Sequence, residues 1–105
     1  MSDLEDELML QIQARGMPEP LRQHKFHPSR LWRADFAWPA YRVIAEVQGG
    51  TYQHMAHSTG TGIHRDYEKA NSAQLMGYIY LQFDREMIED GSAVDAIRKA
   101  IVWEG

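Results

Sequence analysis

The segment from Arg33 to Gly50, RADFAWPAYRVIAEVQGG, constrains this chain more than any other. Its apolar residues alternate with polar ones at period two on either side of Pro39-Ala40, which predicts a β-hairpin. Successive side chains on a strand point to opposite faces. Asp35 therefore shares a face with Arg33 and Ala37, while Trp32, Ala34, Phe36 and Trp38 form the other, apolar face. On the second strand, Val43, Ala45 and Val47 alternate with Ile44, Glu46 and Gln48. Directly opposed residues of an antiparallel pair stand roughly 4.5 to 5.5 Å apart at Cβ. Asp35 and Glu46 can therefore meet closely enough to share one hard cation, and oxygen donors of this kind select Mg²⁺ or Mn²⁺. The competing reading is a solvated face of a half-buried hairpin.

The residues beyond the hairpin weigh against that blander reading. Gly49-Gly50 opens a polar loop, residues 51–62, and a helical segment over residues 64–76 follows with Arg65, Asp66, Glu68, Lys69 and Asn71. The loop holds His54 and His57, and His64 begins the helix. A zinc site built from these three is disfavoured, because the loop offers no regular geometry and the chain has no cysteine. A histidine titrates near neutrality, so His57 is a candidate proton carrier or phosphate contact, with an exposed loop histidine as the alternative.

The remaining elements follow from capping and period. Ser2 or Asp3 caps a helix to about Arg15 with Leu4, Leu8 and Ile12 on one face and Gly16 as its stop. Pro18 and Pro20 enforce a linker, and residues 21–27 are extended. Gly77 ends the middle helix, residues 78–83 read as a buried strand, and Asp84 and Ser92 are placed to cap a short turn and a last helix over residues 93–102. The order helix, strands, helix, strand, helix predicts an α/β sandwich with a central mixed β-sheet flanked by helices. At 105 residues it is expected to be one domain, 1–105, with no repeat or low-complexity tract.

The ordered set Arg30-Leu-Trp32-Arg33-Ala-Asp35-Phe36-Ala37-Trp38-Pro39, Glu46-Val47-Gln48-Gly49-Gly50-Thr51, His57, Asp66-Tyr-Glu68-Lys69-Ala-Asn71 and Leu75-Met-Gly77 resembles the PD-(D/E)XK nuclease superfamily. It is most similar to small phage and bacterial endonuclease-like proteins of the very-short-patch-repair and restriction-enzyme type, and the matching positions run through most of the chain. The resemblance implies a restriction-endonuclease-like fold, a nuclease-like domain, and Mg²⁺- or Mn²⁺-dependent hydrolysis of phosphodiester bonds in DNA. It implies Asp35, Glu46 and the backbone carbonyl of Val47 as metal ligands, with Asp35, Glu46, Gln48 and Lys69 as the catalytic set. Arg33, His57, Arg65 and Asn71 become candidate DNA contacts.

Three positions bear on that set. The motif lysine is replaced by Gln48, an amide that carries no charge. In some members the lysine migrates to the following helix, which points to Lys69. Upstream, neutral Gln23 stands where a glutamate is expected. Glu7 on the first helix is a candidate for an outer metal shell, against the plainer reading of an acid near a helix N-terminus.

Composition sets bounds on partners and compartment. The net charge of −4 opposes a protein that holds duplex DNA mainly by neutralising phosphates. The acids, however, collect at Asp3, Glu5, Asp6 and Glu7 and again at Glu86, Glu89 and Asp90, whereas Arg15, Arg22, Lys25, Arg30, Arg33, Arg42, Arg65 and Lys69 supply the middle with cations. Weak, salt-sensitive binding is expected, aided by a homodimer or by a phage or host protein partner. Cutting both strands would call for a dimer. The absence of cysteine and of a long apolar run leads to the expectation of a cytoplasmic protein without a membrane partner. Two functions stay open: a metal-dependent DNA endonuclease, or a DNA- or protein-binding module on the same fold whose chemistry is weakened by the lost motif lysine.

Overall fold

The computed structural model describes residues 3–48 and 60–102. The elements run α1 (Asp3–Ala14), β1 (Leu21–Lys25), β2 (Arg33–Trp38), a 3₁₀ turn (Pro39–Tyr41), β3 (Val43–Val47), α2 (Gly60–Leu75), β4 (Ile79–Phe83), α3 (Arg85–Glu89) and α4 (Ser92–Ile101). The sheet order is β1-β2-β3-β4. β1 pairs with β2 and β2 with β3 in antiparallel fashion, whereas β3 and β4 are parallel. A parallel pair needs a crossover connection, and α2 lies within it. The result is the mixed sheet between helices that the order of elements predicts.

Two apolar clusters, one on each face, fix the layers. Phe36, Trp38, Val43, Ala45 and Phe83 pack with Leu4, Leu8 and Ile12 of α1 and with Ile88, Val94 and Ile97 of α3 and α4. On the other face Ala37, Ile44 and Tyr78 pack with Ala73 of α2 and with Phe26. The i, i+4, i+8 spacing of the α1 residues gives the stripe that covers the sheet, and Gly16 at φ +66° ends the helix in the left-handed region. Arg22 ties this layer down: its guanidinium lies 4.5 Å from the Phe36 ring centroid and donates to Glu5 Oε1 at 3.0 Å.

The β2–β3 connection is longer than a two-residue turn. Pro39 opens a 3₁₀ turn, and Arg42 closes it at φ +56°, in the left-handed region unusual for a side chain of this size. Arg42 is held there by its surroundings. Its guanidinium lies 4.2 Å from the Tyr78 ring centroid and donates to the Met76 carbonyl, beside Gly77 at φ +90°. One side chain thus joins the hairpin turn to the end of α2.

Some local expectations require correction. α2 begins at Gly60 rather than His64, so helix extends into a stretch whose glycines favour a loop. Ser92 is the first residue of α4 and not its cap; Gly91 takes the cap position at φ +86°, and Asp90 Oδ1 accepts from the Ser92 amide at 2.8 Å. Asp84 does cap α3, accepting from the Met87 amide at 3.0 Å. Trp32 does not extend the Phe36–Trp38 face. It stacks on Phe26, with centroids 6.4 Å apart, and packs with the cluster under α2. Ala34, inside β2, is likewise buried in that cluster, so the face that carries Phe36 and Trp38 does not run to the start of the strand.

No helix among the described residues is long and apolar enough to cross a membrane. Leu8 is fully buried and Leu10, on the same helix, is 66% exposed. Leu8→Ala should lower the unfolding free energy by about 3 kcal/mol, and Leu10→Ala should change it by less than about 0.5 kcal/mol. Urea titration of both variants checks the placement of α1, and equal effects would refute it.

Candidate active site

The hairpin register brings the two acids together. Phe36 pairs with Ala45 and Ala37 with Ile44, so the next rung toward the open end places Asp35 opposite Glu46. At that rung the side chains take over from the backbone ladder. Glu46 Oε2 accepts from the Asp35 amide at 2.8 Å, and Asp35 Oδ2 accepts from the Val47 amide at 2.9 Å. Each carboxylate thus satisfies a main-chain donor of the facing strand. Both are oriented without a long side chain or a mobile loop.

β1 adds a third group to the same row. Its ladder to β2 runs through Arg22↔Phe36 and His24↔Ala34 but omits the Gln23–Asp35 rung between them. Gln23 lies at φ +51°. Its amide donates to Asp35 Oδ1 at 3.2 Å. Non-glycine residues in the left-handed region cost on the order of 1 kcal/mol or more, and such strain persists where surrounding contacts hold it. The neutral Gln23 therefore acts as a donor to Asp35.

Lys69 enters from α2. Ala73 sits buried where α2 meets the sheet, and its small side chain permits close approach. One turn earlier on the same stripe, Lys69 Nζ reaches Glu46 Oε1 at 2.5 Å and the Arg33 carbonyl at 2.7 Å. The pair is nearly dry, with side-chain exposures of 16% for Lys69 and 7% for Glu46. Burial pushes the Glu46 carboxyl above its ordinary value. The Lys69 charge and hydrogen bond oppose that rise, the nearby Asp35 charge adds to it, and the Asp35 amide opposes it; burial prevails.

Tyr80 completes the floor of the site and was not among the sequence candidates. The parallel register sets Ile44 beside Tyr80 and Glu46 beside Gln82. Burial raises the Tyr80 phenol well above its ordinary value, and the charge of Glu46, a hydrogen bond to it, and the charges of Asp35 and Asp66 raise it further. The hydroxyl stays protonated. A signal existed in the sequence, since a tyrosine inside an apolar strand needs a partner for its hydroxyl, but only the β3–β4 register shows which partner.

The other sequence candidates are distributed as follows. Gln48 is half-buried at the end of β3, and its amide donates to Gln82 Oε1 at 3.4 Å. Arg33 is exposed and donates to the Gln23 carbonyl at 3.4 Å. Arg65 and Asn71 are exposed on α2. Glu7 is exposed on α1, which packs on the opposite face of the sheet from Asp35 and Glu46, and it accepts from Gln11 at 3.4 Å. The structure does not bring it to the site. His54 and His57 lie outside the described residues, while His64 is exposed and 3.7 Å from Glu68.

The donor set bears on a metal. Asp35 and Glu46 present hard oxygens from adjacent strands, and a carboxylate oxygen that accepts one hydrogen bond retains a lone pair for a cation. Among the described residues no group of three or more His, Cys, Asp or Glu converges on one point. A cation held here would therefore draw its further ligands from main-chain carbonyls, water or substrate, as small divalent ions commonly do.

No family model and no curated protein sequence matches this chain. Among solved structures it is similar to the catalytic domain of the homing endonuclease I-Bth0305I, at a TM-score of 0.72 and 17% identity, over 97% of this chain and 96% of that one. At this identity the likeness shows a shared fold, an α/β arrangement in which nearly every residue of both chains takes part.

Removing the Lys69 charge tests the electrostatic reading. Lys69→Met keeps the apolar stem but strands a desolvated carboxylate, at a cost on the order of 3 kcal/mol. In a carboxyl-carbon NMR titration Glu46 should then ionise at higher pH than in the unmodified protein, and Glu46→Gln combined with Lys69→Met should recover much of the lost stability. An unchanged Glu46 titration would show that Lys69 is not its counter-ion.

Proposed function

We propose that this protein is a metal-dependent endonuclease that hydrolyses phosphodiester bonds in DNA through Asp35 and Glu46. The observation that carries the reading is the Asp35–Glu46 rung with Lys69 Nζ 2.5 Å from Glu46. The similarity of fold to a homing endonuclease catalytic domain supports it.

Hydrolysis of a phosphodiester needs an activated water, neutralisation of charge gained by the phosphoryl oxygens, and help for the departing oxygen. Asp35, Glu46 and the Val47 carbonyl would hold the Mg²⁺ or Mn²⁺ ion. When bound, that ion supplies water acidification and charge neutralisation. The protein's own groups do the positioning. The Val47 amide and Gln23 hold the Asp35 carboxylate, and the Asp35 amide holds that of Glu46. Lys69 brings a cation beside Glu46 where position 48 offers only an amide. It can orient the attacking water and offset charge on the phosphoryl oxygens. Arg33, Arg65 and Asn71 are exposed and available to DNA, with His57 as a further contact.

The binding-module alternative rests on the missing motif lysine and on the net charge of −4. Lys69 supplies the same charge from α2, which favours the enzyme. A bare binder would also gain nothing from two carboxylates facing a phosphate.

A plasmid nicking assay with Mg²⁺ or Mn²⁺ tests the reading. The unmodified protein should relax supercoiled DNA, and Asp35→Asn and Glu46→Ala should each reduce the rate by at least about a hundredfold, the scale of losing a principal electrostatic contributor. An active, folded Glu46→Ala would overturn the assignment. Because Glu46 must be ionised to bind a cation and its carboxyl lies above the ordinary range, cleavage at limiting metal should rise with pH along a limb above pH 4.5, the ordinary glutamate value. A rate independent of pH across that region would remove Glu46 from the metal site.

A further inference from the structure

The turn between β1 and β2, residues 26–32, adjoins the site with residues 28–31 exposed, yet the chemistry above uses none of its side chains. Its construction is unusual for a connecting loop. His27 Nδ1 accepts from the Ser29 and Arg30 amides at 3.1 and 3.0 Å, so one ring closes the turn from within. Phe26 stacks against Trp32, His27 meets the Trp32 ring edge-on at 5.4 Å, and the Arg30 guanidinium lies 4.0 Å above the same ring. These contacts hold the turn in shape. Leu31, at its tip, is nevertheless 80% exposed. A braced turn that displays a leucine forgoes burial worth roughly 1.5 to 3 kcal/mol.

The charge carried by this stretch of sequence is one-sided. From Pro20 to Ala34 the sequence has Arg22, Lys25, Arg30 and Arg33 and not one acidic residue, in a chain whose net charge is −4. Arg22 is paired with Glu5 on the far face. Arg30 lies 3.7 Å from Glu68 of α2, whereas Lys25 and Arg33 face each other as direct partners on the last rung. Like charges directly opposed across two strands are destabilising. An anion lying over that rung would relieve the repulsion.

The turn is also fixed relative to the site. Lys69 Nζ bridges Glu46 and the Arg33 carbonyl, and Arg33 stands two residues before Asp35. Leu31 and Asp35 are four residues apart in the chain, at most about 14 Å when fully extended. That is roughly four base steps of a duplex at 3.4 Å per step.

We propose that the β1–β2 turn is a DNA-positioning element, which rests on the nuclease reading above. Lys25 and Arg33 take phosphates a few nucleotides from the one at Asp35 and Glu46. Leu31 seats against the sugar and base surface between them. Proteins use exposed apolar side chains flanked by cations in this way at the surface of duplex DNA.

The test is fluorescence anisotropy with a labelled duplex oligonucleotide in EDTA, over a range of salt concentrations, on the full chain. Lys25→Ala should make the slope of log affinity against log salt shallower by about 0.9, the value for one phosphate contact. Leu31→Ser should lower affinity roughly tenfold at every salt concentration with the slope unchanged. Both positions are exposed, and unchanged thermal melting confirms that the variants fold. If both variants bind as the unmodified protein does, the proposal is overturned and the tip faces another partner. Metal-dependent cleavage that persists in that case leaves the nuclease reading standing. An unmodified protein that neither binds nor cuts DNA overturns both.

Discussion

A carboxylate kept out of water beside a second carboxylate is the constraint on which this structure turns. Glu46 faces a desolvation cost that no surface acid meets, and the proximity of Asp35 adds to it. Two donors offset that cost: the Asp35 amide and the Lys69 ammonium. Each comes from a different element. β2 and α2 must both be in place for these bonds to form, so the site reports on the assembly of the fold. The residues beneath make that assembly specific. Ala37 and Ala73 are small enough for α2 to lie close to the sheet, and Ile44 and Tyr78 fill the space on either side.

Much of this was legible from alternation alone. Period two put Asp35 on one face and Phe36 and Trp38 on the other, and placed Glu46 with Ile44; the structure keeps all of these assignments. The i, i+4, i+8 stripe of Leu4, Leu8 and Ile12 gave the covering helix. What sequence could not supply was contact across elements. Gln23 reads as a neutral residue on an extended segment, and its left-handed backbone and bond to Asp35 appear only when β1 lies against β2. Tyr80 reads as strand composition until the parallel register sets it near Glu46. Trp32 and Ala34 depart from the alternation because Phe26, from the preceding turn, gathers both into the cluster under α2. Ser92 was misplaced because a glycine at positive φ took the cap position and an upstream aspartate supplied the bond.

Lys69 places beside Glu46 a cation that the amide at position 48 does not carry. On β3, the side chain at 48 lies on the same face as Glu46 and close to the strand end, where Gln48 meets Gln82. A lysine there would stand beside Glu46 along the strand. Lys69 reaches Glu46 from above, across the gap between helix and sheet, and spans it because its stem is long and Ala73 brings the helix close. The direction of approach has a consequence of its own. A lysine on the strand is fixed by the sheet, whereas Lys69 is fixed by α2 and by its second bond to the Arg33 carbonyl, at the start of the strand that carries Asp35. That bond couples the cation to β2 as well as to β3. A shift of α2 would therefore move the charge relative to both acids together, and the helix, more than the hairpin, sets how the charges at this site are arranged.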